Sequence, residues 1–376
     1  MFRTRTAAVF VAPIAVVALA GAGCKKKDPP KPAITTGSGA TAATAGKTGA
    51  LAPIAPSSGT IDPVVARTLA ALPADADTVF GIDYQKLFAV PVIQGQISKL
   101  GTRMLPFDIK AECGIDPVTS LRAAIVGINA ADTAMGSLTG VGKAAMLPCL
   151  DKMKPAIETK GGSLTIDGVY AWGTIEGAHF GMAYIDDSTA LFAGSRTVPV
   201  DKAMLEGMTA STAGSGLMGN PEFITKLQKV NTTTTAWVLA SGARLAMLPD
   251  MIKSMLGGKA FQVALGAIDY TAAGLALDLR LDTGSDTSAK ELVDGMGSQM
   301  GALRGGLASK AELTAEGPDV HGVILMTPAQ IDRVGKMAKA FAGPMLGQLM
   351  GGARPAPPAA IGIGSAAPVA PAPKGP

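Results

Sequence analysis

Two hydrophobic periods alternate along this chain, and the switch between them falls at Gly, Pro and Asp-rich turns. The clearest period of two is Leu275, Leu277, Leu279 and Leu281, set between Asp278, Arg280 and Asp282. That pattern predicts a strand with one apolar and one polar face. The clearest helix start is Thr327-Pro328-Ala329-Gln330. It combines an N-cap, a proline at the first helical position and a glutamine that can close a capping box.

The first half opens with Asp62-Pro63, which leads a helix into Val64–Leu72. The turn Leu72-Pro73-Ala74-Asp75-Ala76-Asp77 then feeds a strand over Thr78–Tyr84. A helix is expected from Gln85 to Gly101, with Leu87, Val90, Ile93, Ile97 and Leu100 on one stripe. Asp116-Pro117 begins another capped turn, followed by strands over Ala123–Asn129 and Ala134–Val141. Lys143–Thr159 has helical spacing at Met146, Leu150, Met153 and Ile157, and its two prolines, Pro148 and Pro155, predict an irregular helix. Strands over Val169–Ile175, His179–Ile185 and Thr189–Gly194 follow so closely that they must pair antiparallel. A short helix over Pro199–Met208 closes this half.

The second half repeats these signals. Asn220-Pro221 starts a helix over Glu222–Val230. A strand follows at Ala236–Ala240, then a Met-rich amphipathic segment at Leu245–Leu256. Phe261–Tyr270 with Ala272–Leu281, and Lys310–Glu316 with Val320–Met326, read as hairpins. Between them lies a helix with Leu292, Met296, Met300 and Leu303 inward. Helices that follow runs of antiparallel strands define an α+β fold of antiparallel sheets covered by helices. Two similar lobes are expected, 61–208 and 220–350, divided at the Ser/Thr/Gly run Thr209–Gly219.

The ends of the chain differ in kind from this body. Arg3 and Arg5, the apolar run Ala7–Ala20 and the small residues Gly21, Ala22 and Gly23 form the layout of a secretory signal over residues 1–23. Residues 24–60 are rich in Pro, Thr, Gly, Ser and Ala and read as a disordered tether; residues 351–376 read as a disordered Pro/Ala tail. Composition changes one conclusion. The net charge of +4 belongs to the ends, because nine of the 33 basic residues but only one of the 29 acidic ones lie outside residues 60–352. The body therefore carries −4, which argues against a nucleic-acid partner. Apolar residues make up 48% of the chain and aromatic ones only 4%, so the core is built of aliphatic residues and methionine.

The stretch Leu72–Asp83, in which a Leu-Pro-Ala-Asp turn feeds an apolar strand, stands behind small residues that lead directly into Cys24. Together they resemble uncharacterised bacterial envelope lipoproteins, and Gly21–Cys24 resembles the lipobox at which those proteins are acylated. The resemblance implies that Cys24 carries lipid and becomes the new N-terminus. Lys25, standing where an Asp would retain the protein at the inner membrane, implies the outer membrane, facing the periplasm or the cell surface. Lys25, Lys26 and Lys27 then fit a contact with anionic headgroups. With Cys24 assigned, Cys113 and Cys149 remain. In an oxidising compartment such a pair is most simply a disulfide, the alternative being two separately buried thiols.

Catalytic motifs are sparse. Gly140-Val141-Gly142-Lys143 has Ala144 where a phosphate loop needs Ser or Thr, and reads as a turn. Gly194-Ser195 and Gly214-Ser215-Gly216 lack the frame of a nucleophile elbow. His179 and His321 lie in strands, and Asp75, Asp77 and Asp83 lack the rest of a calcium loop. No cofactor or metal site is expected. Met247, Met251 and Met255, with Met337, Met345 and Met350, read first as core filler and second as an adaptable apolar groove. The expectation is a membrane-tethered lipoprotein with a non-enzymatic binding or structural role toward an apolar ligand or a protein partner. The alternative is an envelope hydrolase whose site no linear motif reveals.

Overall fold

The computed structural model describes residues 50–90, 109–131, 133–211, 215–246 and 261–334. At Asp62 the expected helix start forms: its carboxylate accepts from the Val64 N–H at 2.8 Å, and Pro63 opens helix α1 (Pro63–Ala71). The buried side of α1 carries Val65, Leu69 and the hydroxyl of Thr68. Strand β1 (Ala76–Asp83) follows, and the Asp83 carboxylate ends it by capping the short helix α2 (Tyr84–Phe88). The helix expected over Gln85–Gly101 ends here at Phe88, with Ala89 as its C-cap, and residues 91–101 lie outside the described residues.

Two short helices, α3 (Ile109–Cys113) and α4 (Pro117–Ser120), precede strands β2 (Ala123–Asn129) and β3 (Ala134–Thr139). Helix α5 spans Lys143–Thr159 without a break, Pro148 and Pro155 included. Each proline removes one backbone hydrogen bond. The buried stripe Met146, Cys149, Leu150, Met153 and Ile157 is unaffected by that loss, and its packing holds the helix together. Four strands then run as a meander: β4 (Ser163–Asp167), β5 (Tyr170–Ile175), β6 (Ala178–Tyr184) and β7 (Thr189–Ser195). No strand was expected at β4. It is a five-residue edge strand with only Leu164 buried, so its alternation is too short to stand out.

Helix α6 (Lys202–Thr209), capped by Asp201, leads to a 3₁₀ turn at Gly216–Gly219 and helix α7 (Pro221–Leu227), capped by Asn220. Strand β8 (Ala236–Ser241) and a single turn α8 (Gly242–Leu245) follow. Strands β9 (Val263–Thr271) and β10 (Gly274–Asp282) form the expected hairpin. Then come helix α9 (Asp286–Arg304), β11 (Lys310–Glu316) and β12 (Asp319–Met326). The capping box at Thr327 and Gln330 closes as expected, with Gln330 Oε1 accepting from the Thr327 N–H at 2.9 Å.

All twelve strands belong to one antiparallel sheet, in the order β11-β12-β10-β9-β8-β1-β2-β3-β7-β6-β5-β4. β1 and β8 pair with each other, Phe80 opposite Val238 and Gly81 opposite Trp237, so both halves share one central ladder. The described residues of the run expected to part them are also packed from Ser215 on. Leu217 is 1% exposed, and the Ser215 hydroxyl donates to the Ala70 carbonyl at 3.0 Å.

Cross-strand partners share a face, so the register sorts the sheet into two sides. The front carries Val79, Trp237, Leu239 and Ile125 at its centre, under α1, the 3₁₀ turn and α7. Toward β4 the front continues as Leu191, Ala193 and Ala183 under α6. The back carries Phe80, Ile82, Val126 and Ile128 at its centre, with α5 packed toward β4 and α9 packed toward β11. One quarter of the sheet has no helix on it among the described residues: the front of β10, β12 and β11.

Candidate functional site

Strand alternation explains that bare quarter. In β10 the leucines Leu279 and Leu281 face back, under α9, which sends Asp278, Arg280 and Asp282 to the front. Their neighbours across the ladder are His321 opposite Arg280 and Asp319 opposite Asp282, with Thr314 and Glu316 beyond on β11. His321 Nε2 lies 3.1 Å from Asp278 Oδ2, and its Nδ1 lies 3.0 Å from Glu316 Oε1. Arg280 also donates to Glu316 at 2.8 Å, and Lys229 reaches from the end of α7 to Asp319 at 2.8 Å. Partial burial would raise the Glu316 carboxyl, but hydrogen bonds from His321 and Arg280 outweigh it and hold the group below its ordinary range.

A furrow runs where this charged surface meets the covered centre of the front. One hollow, of about 270 Å³, lies between the segment Ile54–Ser57, the turn Lys229–Asn231 and the floor of Leu265, Asp278, Arg280 and His321. A second, of about 250 Å³, continues past Lys229 and Arg280 toward Glu222 and Val263. One wall of the first hollow is the chain's own extended N-terminal segment. Residues 50–61, most of which were assigned to the tether, lie against the body. Ile54 and Ile61 pack on the central front core, and Asn231 Nδ2 donates to the Ala55 carbonyl at 3.0 Å.

The residues weighed as chemistry are scattered by the fold, with one exception. Cys113 and Cys149 form a disulfide, Cα to Cα 5.3 Å, which pins α3 to the middle of α5. Cys24 lies outside the described residues, as do Met247, Met251, Met255, Met337, Met345 and Met350. Gly140 takes a positive φ of 119°, Gly142 caps α5 without a side chain, and Lys143 pairs with Asp187 at 3.2 Å, so this loop is a turn and a cap. Ser195 stands opposite His179 in the ladder, yet its hydroxyl accepts from the Thr197 and Val198 N–H groups. Asp77 pairs with Arg244 at 3.2 Å and Asp83 caps α2, so the three aspartates do not converge on a cation. Among the described residues no cluster of three side chains could hold a metal ion.

Ser57, His321 and Asp278 do share the first hollow. Both ring nitrogens of His321 face carboxylates, however, and Ser57 Oγ accepts from the Gly59 N–H at 3.2 Å. In this arrangement neither nitrogen is presented to a hydroxyl. Sequence reasoning missed the furrow because its floor is contributed by three strands and becomes contiguous only once the register is known. The polar side of β10 was its one visible signal.

No family model matches the chain, and no curated protein matches it. Among solved structures, three crystal forms of TP0453 are similar. Form III has a TM-score of 0.46 and 11% identity and covers 74% of this chain and 99% of that one. Form I has a TM-score of 0.44 and 10% identity, covering 74% and 98%. Form IV has a TM-score of 0.44 and 11% identity, covering 74% and 97%.

Proposed function

We propose that this protein is an envelope lipoprotein, tethered to a membrane through acylated Cys24, with a non-enzymatic binding or structural role. The observation that carries the reading is the Cys113–Cys149 bridge. Of the three cysteines in the chain it leaves one, Cys24, directly behind a secretory signal. A disulfide fits an oxidising compartment, and a lone cysteine after small residues fits acylation. Lys25, Lys26 and Lys27 would meet anionic headgroups, and Lys25 favours the outer membrane. The two halves read as similar lobes fused through β1 and β8: each has a strand, a hairpin, a long helix and strands returning beside the hairpin. The furrow is the natural place for an apolar ligand or protein partner, having an aliphatic wall and a charged floor.

The test is fractionation of the unaltered chain and of Cys24→Ala, with mass spectrometry of the N-terminal peptide. The unaltered chain should partition with membranes and carry acyl mass on Cys24, and the variant should become soluble. Equal partitioning of the two sinks the reading. A second reading, an envelope hydrolase, draws on Ser57, His321 and Asp278 sharing one hollow. It requires His321 to release a carboxylate. It predicts turnover of simple esters that both Ser57→Ala and His321→Gln abolish.

A further inference from the structure

The segment that walls the furrow is buried with a period of three. Leu51, Ile54 and Ser57 are half-buried, while Ala52, Pro53, Ala55, Pro56 and Ser58 are exposed. Three residues per turn is the repeat of an extended polyproline-type chain, which has no internal hydrogen bonds and is pre-ordered by its prolines. Such a chain loses little entropy on docking and is read by side chains at every third position. Here Ile54 enters the apolar part of the furrow beside Val230 and Leu265. The exposed Ala55 carbonyl accepts a hydrogen bond from Asn231 Nδ2. The seat therefore reads the aliphatic side chain at position 54, and the Ala-Pro pairs on either side, residues 52–53 and 55–56, hold the chain in the form that presents it.

That pattern occurs a second time in the chain. Ala367-Pro368-Val369-Ala370-Pro371 repeats Ala52-Pro53-Ile54-Ala55-Pro56 position for position, Val369 standing for Ile54 and Ala370 for Ala55. We infer that the furrow is a peptide seat with two claimants in the same chain, and that the C-terminal segment Ala367–Pro371 takes the seat when Ile54–Ser57 leaves it. Charge offers no obstacle, because residues 364–373 contain no ionisable side chain. Reach offers none either. From Val334 to Ala367 there are about 33 residues, which span up to roughly 100 Å when extended.

The two claimants are unequal. Continuing the register sets Ala366 against Leu51 and Val369 against Ile54, so the C-terminal segment has less aliphatic surface to bury. At ordinary transfer values it binds roughly ten- to a hundredfold more weakly. The N-terminal segment therefore holds the seat at rest. It is also the end of the tether, so a pull on the tether acts directly on Ile54 and hands the seat to the weaker claimant. The seat and its two claimants stand whether or not Cys24 is acylated; the pull on the tether rests on that anchor.

The test is a disulfide trap in the full chain, on a Cys24→Ala background, with Lys229→Cys in the furrow and Val369→Cys in the C-terminal segment. Intrachain cross-linking under mild oxidation should be low and should rise about tenfold or more when Ile54→Asp empties the seat. A cysteine placed instead at Ala359, outside the pattern, should not respond. Equal yields at 359 and 369, or no response to Ile54→Asp, overturn the inference. A cross-link between two chains overturns the same-chain claim and assigns the seat to a second copy. A second measurement uses Ile54→Cys on the Cys24→Ala background: a peptide of residues 364–376 in excess should speed thiol labelling at position 54. The same peptide carrying Val369→Asp should not, and no acceleration with either peptide also overturns the inference.

Discussion

The two wings of the sheet are built from similar strands and differ in what lies on the front. Toward β4, the front side chains are Leu191, Ala193 and Ala183, and α6 covers them with Leu205 and Met208. Toward β11, the same side carries Asp278, Arg280, Asp319 and His321. Both wings have a long helix on the back, α5 in one and α9 in the other. One hydrophobic face is enough to hold a strand in an antiparallel sheet. The first wing uses its second face for stability, and among the described residues no helix lies on that face of the second wing.

Four variants sharpen this contrast. The largest effect is expected for Leu205→Asp, because Leu205 is 0% exposed in the doubly covered wing. An unpaired charge in that position should cost about 4–5 kcal/mol or more in denaturant unfolding. Next is the bridge. Replacing Cys113 and Cys149 together by Ser should cost about 3–4 kcal/mol by the chain-entropy model for the enclosed loop. A loss under 1 kcal/mol would mean that α3 is held by packing alone.

At the shared centre, a Cβ on Gly81 would collide with the Trp237 indole at Nε1. Gly81→Ala should therefore cost about 1–3 kcal/mol through displacement of the indole, and Trp237 fluorescence should report the shift. The smallest effect belongs to the open face. His321→Gln removes contacts to Asp278 and Glu316 on a partly exposed surface and should cost under about 1 kcal/mol. The same variant tests pH dependence. The Glu316 carboxyl is depressed, so its contribution is present above the ordinary Glu range near 4.5 and is lost as pH falls through the lower folded value. Acid unfolding of His321→Gln should be less steep below about pH 4.5 than that of the unaltered chain. An effect at this site as large as that of Leu205→Asp would erase the distinction between the wings.

Much of this fold was visible in the residues. β2 at Ala123–Asn129, α5 at Lys143–Thr159 and β11 at Lys310–Glu316 lie where periodicity placed them. The caps at Asp62, Asn220 and Thr327 close as their spacing predicts. Local signals of this kind are set within a few residues. What escaped was long-range. The β1–β8 ladder joins segments whose periodicity says nothing of each other, so the continuity of the sheet was not legible. The furrow was hidden for the same reason, since Asp278 and His321 meet only through the register of β10 and β12. The cysteine bridge was accessible through counting and export logic, with no knowledge of geometry.

The pairing of β1 with β8 also sets a schedule for the newborn chain. Phe80 must wait for Val238, roughly 160 positions later, before its strand has neighbours on both sides, and such distant pairings are slow to close. At ordinary synthesis rates the wait lasts about 8–30 seconds. Throughout it, a strand carrying Val79, Phe80 and Ile82 presents an open backbone edge. A chain halted anywhere before residue 236 keeps that edge open, and a second halted chain offers it the nearest match.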